Sequence, residues 1–128
     1  MSARRRVAVI GASRDRAKFG NKAVRAFLES GFEVFPVNPN EQEVEGLPAY
    51  ATVEAIPLEL DLVSVYVPPT VGIKLLSGIA KKNPRELWLN PGAANPELLH
   101  AAAALKLQTV SACSIVALGR SPSEFPDA

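Results

Sequence analysis

The feature that most constrains the fold is a regular alternation of short apolar runs with stretches of helical pattern. The apolar runs stand at residues 6–10, 32–37, 61–67, 86–89 and 108–111, and connections of helical length separate most of them. The first run is continuously apolar after its first residue, as expected of a strand that is covered on both faces. Such alternation predicts parallel strands joined by helical crossovers.

Helix signals fill the connections. The spacing of apolar residues predicts helices at 21–30 and 70–82, and Asn95-Pro96-Glu97 combines a capping amide, an N-terminal proline and a first-turn carboxylate. We therefore expect an α/β fold: a Rossmann-like, doubly wound, mostly parallel sheet with helices on both faces, in a single domain at 1–119. The tail at 120–128 holds two prolines and few apolar residues, so we expect it to be poorly ordered.

Composition excludes several classes of function. The chain has 128 residues and a net charge of +1, which gives no general attraction to nucleic acid or to a membrane surface. No apolar run approaches the roughly 20 residues that span a bilayer. Cys113 is the only cysteine and His100 the only histidine, so neither an internal disulfide nor a zinc site is expected, and a cytoplasmic protein is the simpler assumption.

Four predicted strands end in loops rich in Gly, Pro, Asn or Ser. In doubly wound sheets ligands bind outside the carboxyl ends of the strands, where the strand order reverses. We expect these loops to converge on one crevice. They are Gly11-Ala12-Ser13, Asn38-Pro39-Asn40, Val67-Pro68-Pro69 and Asn90-Pro91-Gly92.

The first loop does not fit an ordinary NAD site. Gly11 permits a sharp turn before a helix whose free amides would bind phosphate, but Ser13 stands where the dinucleotide fingerprint has its second glycine. The second strand ends at Asn38 without the carboxylate that binds ribose hydroxyls.

Positive charge lies in the first loop instead, at Arg14, Arg16 and Lys18. Coenzyme A, with an adenine, a pyrophosphate and one further phosphate, would suit that charge; the alternative is a solvated loop whose cations pair with Asp15.

The order of these motifs resembles a known family. "VAVIGAS" followed by "FG", then "GFEVFPVNP", "DLVSVYVPP", "WLNPGAAN" and "ACSIVALG" resembles the small stand-alone CoA-binding domain proteins. It is also similar to the N-terminal CoA-binding domain of the succinyl-CoA synthetase alpha subunit. The likeness covers about 7–118.

The resemblance implies a set of residues that bind CoA. Gly11, Ala12, Ser13 and Arg14 would contact its phosphates, Val37, Asn38, Pro39 and Asn40 the adenosine end, Val67 and Pro68 the adenine, and Asn90, Pro91 and Gly92 the pantetheine side. Two positions depart from the family. The synthetase has a lysine shortly after its second-strand proline where this chain has Asn40-Glu41, and many stand-alone members have Gln or Glu where this chain has Asn90.

The sequence shows no arrangement of nucleophile, base and acid, so we expect no catalytic residue. His100 is interpreted as a surface residue and Cys113 as a small apolar one, although a thiol there could form a mixed disulfide with CoA. We expect a non-catalytic carrier, sensor or accessory module that binds CoA or a short acyl-CoA. Two alternatives remain: an NAD(H)-responsive Rossmann-type regulator, and a detached ligase subunit that needs a partner chain.

Overall fold

The fold is a five-stranded parallel sheet in a computed structural model that describes residues 4–128. A separate two-stranded antiparallel hairpin follows the second strand. In chain order the elements are β1 (Arg6–Ile10), α1 (Phe19–Glu29), β2 (Glu33–Val37), β3 (Glu43–Val44), β4 (Leu47–Pro48), β5 (Leu62–Val65), α2 (Pro69–Gly72), α3 (Leu76–Lys82), β6 (Glu86–Leu89), α4 (Pro96–Ala104), β7 (Thr109–Ser111) and α5 (Ser114–Ala117).

The strand order places a crevice beside β1. The order is β2-β1-β5-β6-β7, so the chain moves outward from β1 to β2 and then returns to build the other half of the sheet from β5. Ile10 pairs with Val37 on one side and with Val65 on the other. The loops that leave β1 and β5 therefore diverge at a topological switch point, which is where such sheets bind ligands.

Apolar side chains cover both faces of the sheet, which confirms the predicted fold class. Val7 and Val9 belong to the core layer beneath α1 and α5, whereas Ala8 and Ile10 belong to the layer beneath α3 and α4. All four are buried. The alternation along β1 follows from the period of two in a strand, and a strand buried on both faces needs a continuous apolar run.

Two helices differ in their limits from the predicted ones. The first begins two residues earlier than expected, at Phe19, and ends before Gly31, whose φ of +87° suits a glycine after a helix. The predicted helix at 70–82 is divided into α2, a 3₁₀ turn over Ile73–Leu75, and α3. None of the helices described in the structure is long and apolar enough to cross a membrane.

The segment 120–128, for which the sequence predicts poor order, contains local structure. It contains a 3₁₀ turn at Pro122–Glu124 with a capping box, in which the Ser121 amide donates to Glu124. Phe125 is only 2% exposed and belongs to the core layer beneath α1. One buried aromatic ring and a capped turn fix this short segment, and overall composition does not reveal either.

Candidate ligand-binding site

Two glycines shape the loop after β1. Gly11 has a φ of +89°, and a Cβ there would lie 3.1 Å from both the carbonyl carbon of Tyr66 and Cγ1 of Val67. Gly20, in the first turn of α1, faces this loop so closely that a Cβ would collide with the carbonyl oxygen of Gly11. The sequence analysis missed Gly20 as a site residue. Its signal was a glycine in the first turn of the helix, where the dinucleotide fingerprint uses one for close packing.

Backbone groups of this loop point to an anion. The amides of Ala12 and Ser13 make no hydrogen bond with any residue in the range 4–128, and α1 begins without a side-chain cap. The Arg14 amide donates to Oε2 of Glu41 at 2.7 Å, so a carboxylate already occupies one donor. Unpaired backbone amides in such a loop can donate to phosphate or carboxylate oxygens.

Asn38 ties the second loop to the first. Its Nδ2 donates to the carbonyl of Ala12 at 2.8 Å, and its Oδ1 accepts from the amide of Asn40 at 2.8 Å. The Gly11 amide donates to the carbonyl of Val37 at 3.0 Å. These contacts fix the relative positions of the loops that follow β1 and β2.

The three predicted basic residues lie in different surroundings. Arg14 and Lys18 are exposed, and Lys18 lines a cleft beside α1. Arg16 contacts other parts of the chain: its Nη1 donates to the carbonyl of Ala128 at 3.0 Å, and its Nη2 lies 3.4 Å from Glu45. An acidic residue of the β3–β4 hairpin and the backbone of segment 120–128 therefore hold its guanidinium, and the assignment of Arg16 to the ligand stays a prediction.

The larger cleft, of about 510 Å³, opens between the ends of β2 and β5. Four predicted residues, Val37, Asn38, Pro39 and Asn40, form one wall. The opposite wall comes from the region of α2 and α3, which sequence reasoning did not assign to the site. Its lining residues from that region are Val71, Lys74, Leu75, Ser77 and Gly78.

A second cleft, of about 360 Å³, lies on the other side of the Gly11 loop. Pro68, Pro91 and Gly92 line it, as the resemblance implied, together with unpredicted residues of the first loop, of α1 and of the loops that follow β5 and β6. Those residues are Ala17, Phe19, Gly20, Tyr66 and Ala93. Gly11 and Val67 line both clefts, so the two form one groove over the switch point of the sheet.

Asn90 lies elsewhere than expected. It is 1% exposed, and its Nδ2 donates to Oγ of Ser64 and to the carbonyl of Val65, both at 2.9 Å. Its Oδ1 accepts from the amide of Ser114 at 2.8 Å. All three bonds point into the protein, so the amide side chain joins β6 to β5 and α5 and does not line either cleft.

Tyr66 lines the second cleft, and its hydroxyl is buried. Its hydroxyl makes no hydrogen bond among residues 4–128. Burial raises the pKa of Tyr66 above its ordinary range, and a nearby charge at Cys113 would raise this pKa further. The neighbouring hydroxyls of Ser64 and Ser114 act in the opposite direction and lower the pKa. Cys113 is half-buried and packs against the core layer beneath α1. His100 is exposed on α4. Neither cleft is lined by a histidine or a cysteine among the described residues.

Comparison with known proteins finds a relative among the CoA ligases. The chain is 46% identical over 65 residues to the alpha subunit of an ADP-forming acetate–CoA ligase II from Pyrococcus furiosus, a match that covers 50% of this chain and 14% of the relative. This chain therefore spans a small part of that relative.

Solved structures match over most of the chain. A conserved hypothetical protein from Pyrococcus furiosus superposes with a TM-score of 0.81 at 34% identity, covering 88% of this chain and 98% of that one. A hypothetical protein from Pyrococcus horikoshii OT3 gives a TM-score of 0.82 at 28% identity, covering 88% of this chain and 79% of that one. The family model described as "CoA binding domain" matches residues 5–119, which include every strand of the sheet and both clefts, and the chain belongs to this family of CoA-binding domains.

Proposed function

We propose that this chain binds coenzyme A or a short acyl-CoA across the carboxyl ends of β1, β2 and β5, and performs no chemistry of its own. The observation that carries the proposal is the pair of clefts that meet at Gly11 and Val67. A ligand with two bulky ends and a charged middle fits such a groove. CoA has adenosine at one end, pantetheine at the other and a pyrophosphate between them.

Each part of CoA has a suitable environment. Val37, Pro39 and Val67 offer apolar surface to an adenine in the larger cleft. Gly11 lines both clefts, and the amides of the next two residues, Ala12 and Ser13, make no hydrogen bond among residues 4–128, so they would be the nearest free donors of this loop to a pyrophosphate that crosses between the clefts. The smaller cleft offers backbone and apolar groups that suit an extended pantetheine chain, and the space beside Gly92 is open, since a Cβ there would meet no atom within 4 Å.

The experiment that tests this proposal is a calorimetric titration of the purified chain with CoA, dephospho-CoA and NADH at two salt concentrations. We expect CoA to bind, and its affinity to fall at higher salt, because exposed charges are screened. Binding of NADH without binding of CoA would contradict the proposal and favour a nucleotide-responsive regulator.

A detached ligase subunit is the second candidate, and the match to a ligase alpha subunit favours it. In that case this chain would supply only the CoA site, and a separate chain would supply the catalytic residues. The purified chain, captured with its partner from its own cells, would then form acetyl-CoA from acetate, CoA and ATP, whereas the chain alone would not. Absence of this activity from a partner-bound sample would leave the accessory module as the better hypothesis.

A further inference from the structure

Lys74 is an exposed cation on the wall of the larger cleft that the sequence analysis did not assign. It lies in the 3₁₀ turn between α2 and α3, opposite the wall formed by Asn38 and Asn40. Among residues 4–128, no carboxylate lies within 4.0 Å of its ammonium group, whereas Glu54 on the same cleft is 3.7 Å from Lys81. The ammonium of Lys74 is therefore available to a ligand.

The wall opposite Lys74 carries no positive charge. It consists of Val37, Asn38, Pro39 and Asn40, and the next residue, Glu41, directs its carboxylate to the amide of Arg14. Arg14 and Lys18 do not line this cleft, and Arg16 is held by Glu45 and Ala128. An adenosine whose ribose carries a phosphate would find one cation in this cleft, at Lys74.

We propose that Lys74 binds the ribose 3′-phosphate of CoA and so determines whether the cleft prefers a phosphorylated or an unphosphorylated adenosine. This inference rests on the proposed function, since it assumes that the adenosine end occupies the larger cleft. The physical reason is that a charge-assisted hydrogen bond from an ammonium to a phosphate is among the stronger polar contacts. The flexible stem of a lysine also allows its ammonium to follow a phosphate on an exposed ribose.

The test compares wild type and Lys74→Gln for binding of CoA and of dephospho-CoA by calorimetry. We expect wild type to prefer CoA by about tenfold, and Lys74→Gln to lose about that factor for CoA while its affinity for dephospho-CoA stays the same. Lys74→Arg should retain the preference. Lys106→Gln removes the same charge from an exposed position outside both clefts and should bind as wild type does.

The outcomes separate the two proposals. An equal loss of both ligands in Lys74→Gln would overturn the inference, because the lysine would then contact a part that the ligands share or would support the cleft itself. An unchanged preference for CoA would also overturn it, since the 3′-phosphate would be bound elsewhere. If wild type binds neither ligand, the proposed function fails and this inference fails with it.

Discussion

Glu41 places a carboxylate on the loop that follows β1, where a phosphate would otherwise bind. Its Oε2 accepts from the Arg14 amide at 2.7 Å, and the side chain is half-buried. A bound pyrophosphate would compete with this carboxylate for the same donor and would also be repelled by its charge. The carboxylate that holds this loop would therefore oppose the binding of a pyrophosphate.

Substituting Glu41 by glutamine should strengthen CoA binding. The amide side chain removes the negative charge, and we expect a gain of about two- to fivefold in affinity, as for a modest charge interaction near a surface. Glu43→Gln is the matched control, since Glu43 is exposed in β3 and lines neither cleft. Calorimetry with CoA measures the effect. Weaker binding by Glu41→Gln alone would mean that the carboxylate supports the loop in the bound state.

Because the Tyr66 phenol is buried, we predict that the free energy of unfolding depends on pH in the alkaline range. Burial raises the pKa of Tyr66 in the folded state, so above the unfolded value of about 10 only the unfolded chain ionises readily. The unfolded state then binds fewer protons than the folded state, and the free energy of unfolding falls as pH rises, by up to about 1.4 kcal/mol per pH unit. Below about pH 10 the phenol is protonated in both the folded and the unfolded state, so it does not change the free energy of unfolding there.

Urea unfolding between pH 8 and pH 11 should show this slope in wild type and a smaller slope in Tyr66→Phe. Tyr50→Phe removes the other phenol of the chain and is the matched variant. Equal slopes in the two variants would show that Tyr66 is not the source of the alkaline loss.

At the scale of elements, Asn90 joins two strands and the last helix. Asn90→Ala would leave the buried amide of Ser114 without its acceptor and would remove the donor to the Val65 carbonyl. We expect the free energy of unfolding to fall by about 2–3 kcal/mol, the cost of leaving buried polar groups unpaired. The urea midpoint measures the change.

Asn40→Ala is the contrasting variant, because Asn40 is exposed and lines the larger cleft. It should change CoA affinity more than stability. Full stability of Asn90→Ala, together with lost CoA binding, would return Asn90 to the ligand site that the family resemblance implied.

The positions of the strands could be predicted from the sequence, whereas the orientations of individual side chains could not. The run at 7–10 is apolar at every position, and only a strand between two helical layers buries such a run. The direction of Asn90 could not be predicted, because a polar residue after a strand can turn toward solvent or toward partners in distant segments. Its partners Ser64 and Ser114 lie 26 and 24 residues away.

The same limit applies to the site. Sequence reasoning assigned loops that directly follow strands, and the structure brings most of them to one groove. It missed Lys74 and Val71 because a residue within a helical segment reaches the groove only through the packing of α2 and α3 above β5. The partners of Arg16, Glu45 and Ala128, could not be predicted either, because they are distant in the sequence.

At the scale of the whole molecule, segment 120–128 contacts both α1 and the loop that follows β1. The carbonyl of Pro126 accepts from Arg25 on α1, and that guanidinium also donates to the carbonyl of Arg16 in the first loop. Ala128 accepts from Arg16 directly. A chain of contacts therefore runs from the segment through two arginines to the loop that carries the free amides.

Phe125 is the anchor of this segment, and Phe125→Ala tests whether the anchor matters for both stability and binding. Its ring is buried beneath the guanidinium groups of Arg25 and Arg120, whose central carbons lie 5.7 and 4.9 Å from its centroid. We expect the free energy of unfolding to fall by about 3 kcal/mol, the lower end of the cost of truncating a buried phenylalanine, because a short segment can relax into part of the cavity.

Binding should weaken as well, because a detached segment releases Arg16 and lets the first loop adopt conformations that do not present their amides to a phosphate. The measurements are the urea midpoint and CoA affinity under conditions where Phe125→Ala is folded. Asp127→Asn is the control, since it removes the ion pair between the exposed Asp127 and the partly buried Lys22 and leaves the ring in place. If Phe125→Ala loses stability yet binds CoA as tightly as wild type does, the segment stabilises α1 without influencing the loop.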